Sequence, residues 1–221
     1  MSDWKGAGYP CAMQASVERK DYIVRAAFAV LMRQGVRALD FKTVAKEAGL
    51  SRQLVRYYFA DPDALSIALC DHLAGLYREA LVSGAAQIDA RDRLNFFLDF
   101  YFDLLGDAPK PRDDQAYDAL FALAAGDPAV RQNLRTQYGL LGHVISHEMQ
   151  VHRPELSVPD CQELSYLFVC LMYGHWKMVA SLGYSEDHKH ITRRAIDRLV
   201  QSYAAASGPA ADACKAWSTD G

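Results

Sequence analysis

The chain has 221 residues, of which 51% are hydrophobic, so it is long enough to bury the cores of one or two domains. Its formal net charge of −3 at pH 7 neither favours nor excludes a nucleic-acid partner. Five cysteines without metal-binding spacing, no signal peptide and no apolar run near the roughly 20 residues of a membrane span exclude a disulfide-stapled secreted class and a membrane-spanning class.

The N-terminal residues carry glycine and proline without helical periodicity. We therefore predict a flexible arm over residues 1–17, in which Met13 is an alternative start. From Arg19 to Gly35, apolar residues recur at helical spacing and predict a first helix. Its apolar stripe consists of Ile23, Ala26, Ala27, Val30 and Leu31.

The stretch from Asp40 to Phe59 predicts two short helices joined by a tight turn. Asp40 is a good N-cap for the first helix, and Gly49 supplies the left-handed backbone that ends it. Ser51 caps the second helix, whose apolar residues again recur at helical spacing. A helix, a glycine-containing turn and a capped basic helix together are typical of a helix-turn-helix motif.

Long hydrogen-bond donors lie off the apolar arc of this second helix. Arg52 and Gln53 stand at its exposed start, where side chains reach base edges in the major groove. We assign phosphate contacts to Lys42 and Tyr57, and we leave Arg56 open between the two roles. The full set of predicted DNA contacts is Lys42, Thr43, Ser51, Arg52, Gln53, Arg56, Tyr57 and Tyr58.

Charge is distributed unevenly along the chain. Residues 18–60 hold nine Lys or Arg and four Asp or Glu, a net charge of +5, which leaves −8 for the remainder. A basic block on an acidic body is typical of a DNA reader with a separate regulatory part. The alternative for this block is an ordinary helical hairpin with a solvated basic face.

The rest of the chain predicts helices without strand-like alternation. Their predicted ranges are 62–83, 89–105, 115–125, 128–152, 160–182 and 186–205. The expected fold is all-α. An N-terminal three-helix, helix-turn-helix DNA-binding head covers residues 18–65, and an α-helical ligand-binding and dimerisation body covers residues 66–206. A tail rich in Ala, Gly, Pro and Ser at 207–221 is expected to be disordered.

Tyrosine and histidine are mixed with phenylalanine on the predicted inward faces of the body. A plain core accounts for most of these aromatic residues, but buried tyrosine needs a partner for its hydroxyl, and the mixture favours a pocket between helices. We predict a cavity for a largely apolar or aromatic small molecule with one or two polar groups. Its candidate lining residues are Phe97, Phe100, Tyr101, Tyr117, Phe121, Tyr138, His147 and Tyr173.

The sequence contains no recognisable catalytic or cofactor motif. His143 and His147 have a spacing that can hold a metal, but no third or fourth ligand accompanies them, so we predict neither a metal nor a cofactor. A nucleophile elbow, a phosphate-cradling glycine loop and a dinucleotide fingerprint are also missing. The chain is therefore not expected to be an enzyme.

Two apolar stripes follow one another near the C-terminus, in the helices at 160–182 and 186–205. Both come after helices that could already complete a monomer core, so two such stripes per chain would close an intermolecular four-helix bundle. The competing interpretation keeps both stripes inside a monomer core. The predicted dimer contacts are Leu164, Phe168, Leu171, His175, Met178, Leu182, Ile191, Ala195, Leu199 and Tyr203.

Three motifs, VAKEAGLS at 44–51, VRYYF at 55–59 and DPDAL at 61–65, resemble those of the tetracycline-repressor (TetR) family of regulators. The similarity covers about residues 22–69 and is only architectural beyond them. Two positions depart from the family pattern. Arg56 stands where tyrosine is common, and Pro62 stands where a phosphate-binding lysine is common, so the usual cation at the fourth helix is missing.

The resemblance implies a homodimer whose helical body binds an inducer. In such a regulator the ligand-free dimer binds a palindromic operator in double-stranded DNA, and the ligand shifts the fourth helix and the distance between the two recognition helices. We therefore expect a cytoplasmic, ligand-responsive transcriptional repressor with reduced thiols and no membrane partner. The alternatives are a DNA-binding adaptor or architectural protein without a ligand and, less favoured, an α-helical enzyme with an unrecognised site.

Overall fold

The computed structural model describes residues 9–106, 114–205 and 216–218, and all regular secondary structure in these ranges is helical. The α-helices are α1 (Tyr9–Gln34), α2 (Phe41–Ala48), α3 (Arg52–Tyr58), α4 (Pro62–Ala85), α5 (Arg93–Tyr101), α6 (Asp114–Gly126), α7 (Pro128–His152), α8 (Val158–Trp176) and α9 (Lys189–Ala205). Short 3-10 turns lie at Val36–Ala38 and Glu186–His188, and a π-helical turn at Lys177–Ser181 continues α8. The predicted all-α class is confirmed.

The chain folds into two compact units. One consists of the described residues up to Leu73 together with Gln115–Asn133, and the other of those from Ala74 to Asp114 and from Leu134 onward. The first unit contains the predicted head and also α6 with the start of α7. Asn133 contributes to this grouping, because its amide donates a hydrogen bond of 2.9 Å to the carboxylate of Asp71 on α4.

Helices α1, α2 and α3 share one apolar core in the first unit. Ile23, Val44 and Val55, one from each helix, are all 0% exposed. The hydroxyl of Tyr22 on α1 donates to the carbonyl oxygen of Ala48 at 3.1 Å, which ties α1 to the last residue of α2. Buried contacts with α1 therefore hold the helix-turn-helix motif, which consists of α2 and α3. The opposite face of α3 is exposed to solvent.

Helix α1 begins earlier than the sequence predicts. The predicted flexible arm covers residues 1–17, whereas the structure is helical from Tyr9, and residues 1–8 lie outside the described ranges. Pro10 misled the prediction because proline is tolerated in the first turn of a helix, where its missing N–H has no intrahelical partner to lose.

Aromatic residues from α5, from its C-cap Phe102 and from α8 build much of the core of the second unit. Phe102 and Phe168 are both 0% exposed, and their rings meet edge to face with centroids 5.8 Å apart. Trp176 satisfies its indole N–H by donating to the carbonyl oxygen of Tyr101 at 2.9 Å. Burial raises the pKa of the Tyr101 hydroxyl well above its ordinary value.

Arg193 connects α9 to α5 within this unit. Its Nε donates to Asp99 Oδ1 at 2.7 Å and its Nη2 donates to Asn95 Oδ1 at 3.0 Å, while its Nη1 pairs with Asp197 one turn further along α9. Only 12% of the Arg193 side chain is exposed. Hydrogen bonds to charged groups of this kind each stabilise a fold by about 1.5–3 kcal/mol, and water screens the more exposed ones.

We expect Arg193→Met to lower the free energy of unfolding by about 1–3 kcal/mol. Methionine keeps much of the aliphatic volume but removes the donors to Asp99 and Asn95. The exposed neighbour Arg194 provides the matched control, because Arg194→Met removes the same charge and should change stability by less than about 0.5 kcal/mol. Urea unfolding measures both variants, and equal losses would contradict a specific role for Arg193.

The prediction of disorder over residues 207–221 is wrong for residues 216–218. Residues 216–218 form a turn, and Trp217 is half-buried against the second unit, while residues 207–215 and 219–221 lie outside the described ranges.

None of the helices in the described part of the chain is long and apolar enough to cross a membrane.

Candidate functional site

Asp40 fixes the start of α2. One of its carboxylate oxygens accepts from the backbone N–H groups of Lys42 and Thr43 at 2.7 and 2.8 Å. These two hydrogen bonds, of which the one from Thr43 has the larger effect, hold the pKa of Asp40 below its ordinary value of 3.8. The predicted N-cap is confirmed, and it is strongest with the carboxylate ionised.

Replacing Asp40 by alanine should therefore have a pH-dependent effect. Because the folded-state pKa lies below the unfolded value, the ionised cap stabilises the fold fully above about pH 3.8, and this stabilisation is lost as pH falls through the folded pKa. At neutral pH we expect Asp40→Ala to cost about 0.5–2 kcal/mol, and the difference from the parent should shrink in acid. Asp40→Asn, which caps without titrating, is the control in urea unfolding at both pH values; a loss independent of pH would contradict this account.

A left-handed glycine makes the turn between α2 and α3. Gly49 has φ 63° and ψ 30°. The backbone N–H of the next residue, Leu50, donates to the carbonyl oxygen of Ala45 at 2.9 Å. The hydroxyl oxygen of Ser51 then accepts from the N–H of Leu54 at 3.1 Å and starts α3. A side chain with a Cβ is strained at the φ of Gly49, so this turn requires glycine.

Helix α3 packs through its apolar side and presents its polar residues to solvent. Val55 faces the core at 0% exposure, whereas Tyr57 is 80% exposed. Of the predicted DNA contacts, Thr43 and Tyr58 are half-buried, and the exposed ones are Lys42, Ser51, Arg52, Gln53, Arg56 and Tyr57. The motif thus keeps every one of these side chains at least partly accessible.

The first turn of α4 is acidic rather than basic. Asp61 caps this helix by accepting from the N–H of Ala64 at 2.8 Å, and Pro62 takes its first position. The carboxylate of Asp127 lies near enough to Asp63 to raise the pKa of Asp63 above its ordinary value. The first turn of α4 therefore carries negative charge, and proline stands at position 62.

The structure places the predicted pocket residues in both units. Tyr117 and Phe121 lie on α6 in the first unit, while the other six belong to the second. In the second unit Phe97, Phe100 and Tyr101 are buried in the core, and Tyr138 and Tyr173 are half-buried. The predicted lining residues therefore do not form one cluster within a single unit.

His147 is exposed on α7, which corrects its predicted position inside a cavity. The inward face of α7 runs instead through Ile145 and Met149, which are both 0% exposed. His143 is exposed as well, and no group of three or more His, Cys, Asp or Glu that could hold a metal occurs in the described residues.

Tyr77 of α4 is a half-buried aromatic residue that packs against the core and was not among the predicted site residues. Its ring stacks on that of Tyr101 with centroids 6.1 Å apart, and it meets Phe100 edge to face at 6.2 Å. Its place among the leucines of a long apolar helix concealed it. The signal in the sequence that could have identified Tyr77 is its position four residues, about one helical turn, after Leu73 in the apolar stripe of this helix.

The side chains predicted as dimer contacts on α8 point in two directions, some into the core and others toward solvent. Leu164 and Phe168 are 1% and 0% exposed within the core of the chain itself, and His175 is also buried, with its Nδ1 3.2 Å from Thr192 Oγ1. Leu164 and Phe168 are closed to a partner, which corrects their assignment as dimer contacts, whereas the buried ring of His175 reaches the surface only at the wall of the groove described next. Among the other predicted contacts, Leu171, Ala195, Leu199 and Tyr203 are half-buried, and Met178, Leu182 and Ile191 are exposed.

A groove of about 380 Å³ lies along α8, the π-helical turn and α9. Its lining residues are Cys170, Leu171, Gly174, His175, Met178, Tyr184, His188, Ile191 and Thr192. Met178, Tyr184 and Ile191 are large apolar side chains with exposures of 44%, 50% and 56%. The four-residue spacing of Cys170, Gly174 and Met178 marks the outward side of α8 and of the π-helical turn, and it is the signal in the sequence that could have located this groove.

Residues 23–69 match the sequence model of the family described as bacterial regulatory proteins, tetR family. The HTH-type transcriptional regulator BetI of Stenotrophomonas maltophilia is 33% identical over 87 residues. That alignment covers 38% of this chain and 44% of BetI, so the chain spans less than half the length of this curated relative.

Solved structures are similar over most of the chain. A putative TetR-family transcriptional regulator from Rhodococcus sp. is 25% identical with a TM-score of 0.69, and the alignment covers 83% of this chain and 99% of that one. A putative transcriptional regulator from Saccharomonospora viridis, in complex with choline, is 19% identical with a TM-score of 0.68 over 84% of this chain and 96% of that one. The similarity to the second structure concerns the fold alone.

Proposed function

We propose that this chain, whose residues 23–69 match the sequence model of the tetR family, is a homodimeric transcriptional repressor that a small molecule releases from a palindromic operator. The observation that carries the proposal is the exposed polar face of α3, fixed by the cap at Ser51 and the turn at Gly49. An enzyme would need a catalytic constellation, and none is recognisable in the sequence.

Arg52 and Gln53 are proposed to read base edges. Both are exposed in the first turn of α3, and arginine and glutamine side chains make bidentate contacts with guanine and adenine in the major groove. Lys42 and Tyr57, with Thr43, Ser51 and Tyr58 beside them, are proposed to hold phosphates and so set the register of the helix. Arg56 fits either role.

Dimerisation is proposed to occur through the groove on α8 and α9. Three of the side chains around it are apolar and about half exposed, which is costly on a monomer surface and favourable against a second copy. Operator recognition requires two copies because one short helix reads too few base pairs. Two heads about 34–36 Å apart meet successive major grooves on one face of the duplex.

The effector is proposed to be a small, largely apolar or aromatic molecule with one or two polar groups. A structure of similar fold, from Saccharomonospora viridis, was solved in complex with choline, which supports the proposal that this chain also binds a small molecule. Release requires that the ligand bind the DNA-incompetent conformation more tightly than the competent one.

A two-stage assay tests the sensor role against the adaptor alternative. Thermal unfolding of the full chain with a panel of apolar, aromatic and quaternary ammonium compounds should find one that raises the melting temperature by mass action. The same compound should then weaken operator binding. A compound that binds without changing operator affinity would contradict the sensor mechanism, and failure of the whole panel would favour the adaptor.

A further inference from the structure

The C-terminal segment contacts the helical body at Trp217. Its indole N–H donates to the hydroxyl oxygen of Ser165 on α8 at 2.8 Å, and its ring meets that of Tyr166 edge to face with centroids 5.4 Å apart. Ser165 is 0% exposed and donates its own hydrogen to the carbonyl of Gln162 at 2.8 Å. The hydroxyl oxygen is therefore oriented as an acceptor for the indole.

Gly142 on α7 also lies against the Trp217 ring. A Cβ at position 142 would lie 2.0 Å from Cε2 and 2.2 Å from Cζ2 of Trp217, so the ring occupies the volume that any other side chain would fill. Gly139, three residues earlier on the same helix, has nothing within 4 Å of its Cβ position. Glycine weakens a helix interior relative to alanine, and at Gly142 the bound ring provides the reason for it.

We propose that Gly142, Ser165 and Tyr166 form an indole-recognition site that Trp217 of the same chain occupies, so that the C-terminal segment is a latch on α7 and α8. The site supplies a flat space, one hydrogen-bond acceptor and one aromatic edge. A planar heteroaromatic molecule with a single N–H group satisfies the same three features. The proposal concerns the body alone and does not depend on DNA or effector binding.

The covalent connection explains how a site with weak intrinsic affinity stays filled. A group on the same chain has an effective concentration of about a millimolar, so a ring with only millimolar intrinsic affinity still occupies the slot for much of the time. Free indole therefore competes poorly in the full chain. It should bind readily once the Trp217 side chain is removed.

A double-mutant cycle tests the latch in the full chain. Gly142→Ala should lower the melting temperature of the parent because its Cβ expels the Trp217 ring. In the Trp217→Ala background the same change should raise the melting temperature by about 2–4 °C, as expected for an unhindered glycine-to-alanine change in a helix. Gly139→Ala is the matched control and should raise it in both backgrounds. A Gly142→Ala effect of the same sign in both backgrounds would overturn the latch.

Free indole tests the recognition site directly. Indole at about millimolar concentration should raise the melting temperature of Trp217→Ala and leave the parent nearly unchanged. Adding Gly142→Ala or Ser165→Ala to Trp217→Ala should abolish the indole effect, because the first fills the slot and the second removes the acceptor. No stabilisation of Trp217→Ala, or stabilisation that survives Gly142→Ala, would overturn the site.

Discussion

Met178→Glu combined with Ile191→Glu should convert the protein from a dimer to a monomer and weaken operator binding by at least about 100-fold. Both side chains line the groove on α8 and α9, and they are 44% and 56% exposed. Glutamate at these positions places two charges per chain in the proposed interface, where desolvation and like-charge repulsion oppose association. Because neither residue is in the core, each monomer should remain folded.

Sedimentation at micromolar concentration measures the mass, and titration of labelled operator measures the affinity. Val82→Glu with Val158→Glu is the matched control, since these exposed valines lie away from the groove and the change in charge is the same. The control should remain a dimer. A clean monomer mass for the unmodified protein would end the proposal, and an unchanged dimer in the Met178 and Ile191 variant would place the interface elsewhere.

Arg52→Ala should reduce operator affinity by about 1–3 kcal/mol and relax the sequence preference at one base pair in each half-site. The guanidinium is exposed at the first position of α3, and its proposed contact with a base edge exists only on the correct sequence. Binding to random DNA should fall much less.

Lys42→Ala is the counterpart, because it removes one positive charge from the same motif at a proposed phosphate contact. It should weaken binding to all sequences alike and reduce the slope of log affinity against log salt by about one. Fluorescence anisotropy with operator and scrambled duplexes across a salt series separates the two behaviours. If Arg52→Ala lowered affinity for both duplexes by one factor, its base-reading role would be wrong.

The recognition motif was predictable because its signals are local. Asp40, Gly49 and Ser51 each act within a few residues of themselves, through N-cap hydrogen bonds or a left-handed backbone, and the structure places all three as expected. Local chemistry of this kind does not depend on how distant parts of the chain pack. The fold class and the ends of α2 and α3 therefore followed from the sequence, whereas the start of α1 did not.

Contacts between distant segments were not predictable. The stripe on α8 is apolar on more than one side, so periodicity alone could not show that Leu164 and Phe168 face inward while Met178 faces outward. The indole of Trp217 fits against Gly142 only when α7 and α8 lie side by side. A tail rich in alanine and glycine carries no local sign of such an anchor.

Selection of bound DNA from random oligonucleotides by the unmodified full chain tests the central claim most directly. The account predicts enrichment of an inverted repeat whose half-sites are centred about 10 base pairs, or a multiple of that distance, apart. Enrichment should be lost with Arg52→Ala and Gln53→Ala together. Recovery of no preferred sequence, or of a single half-site without its inverted copy, would contradict a dimeric operator-binding regulator.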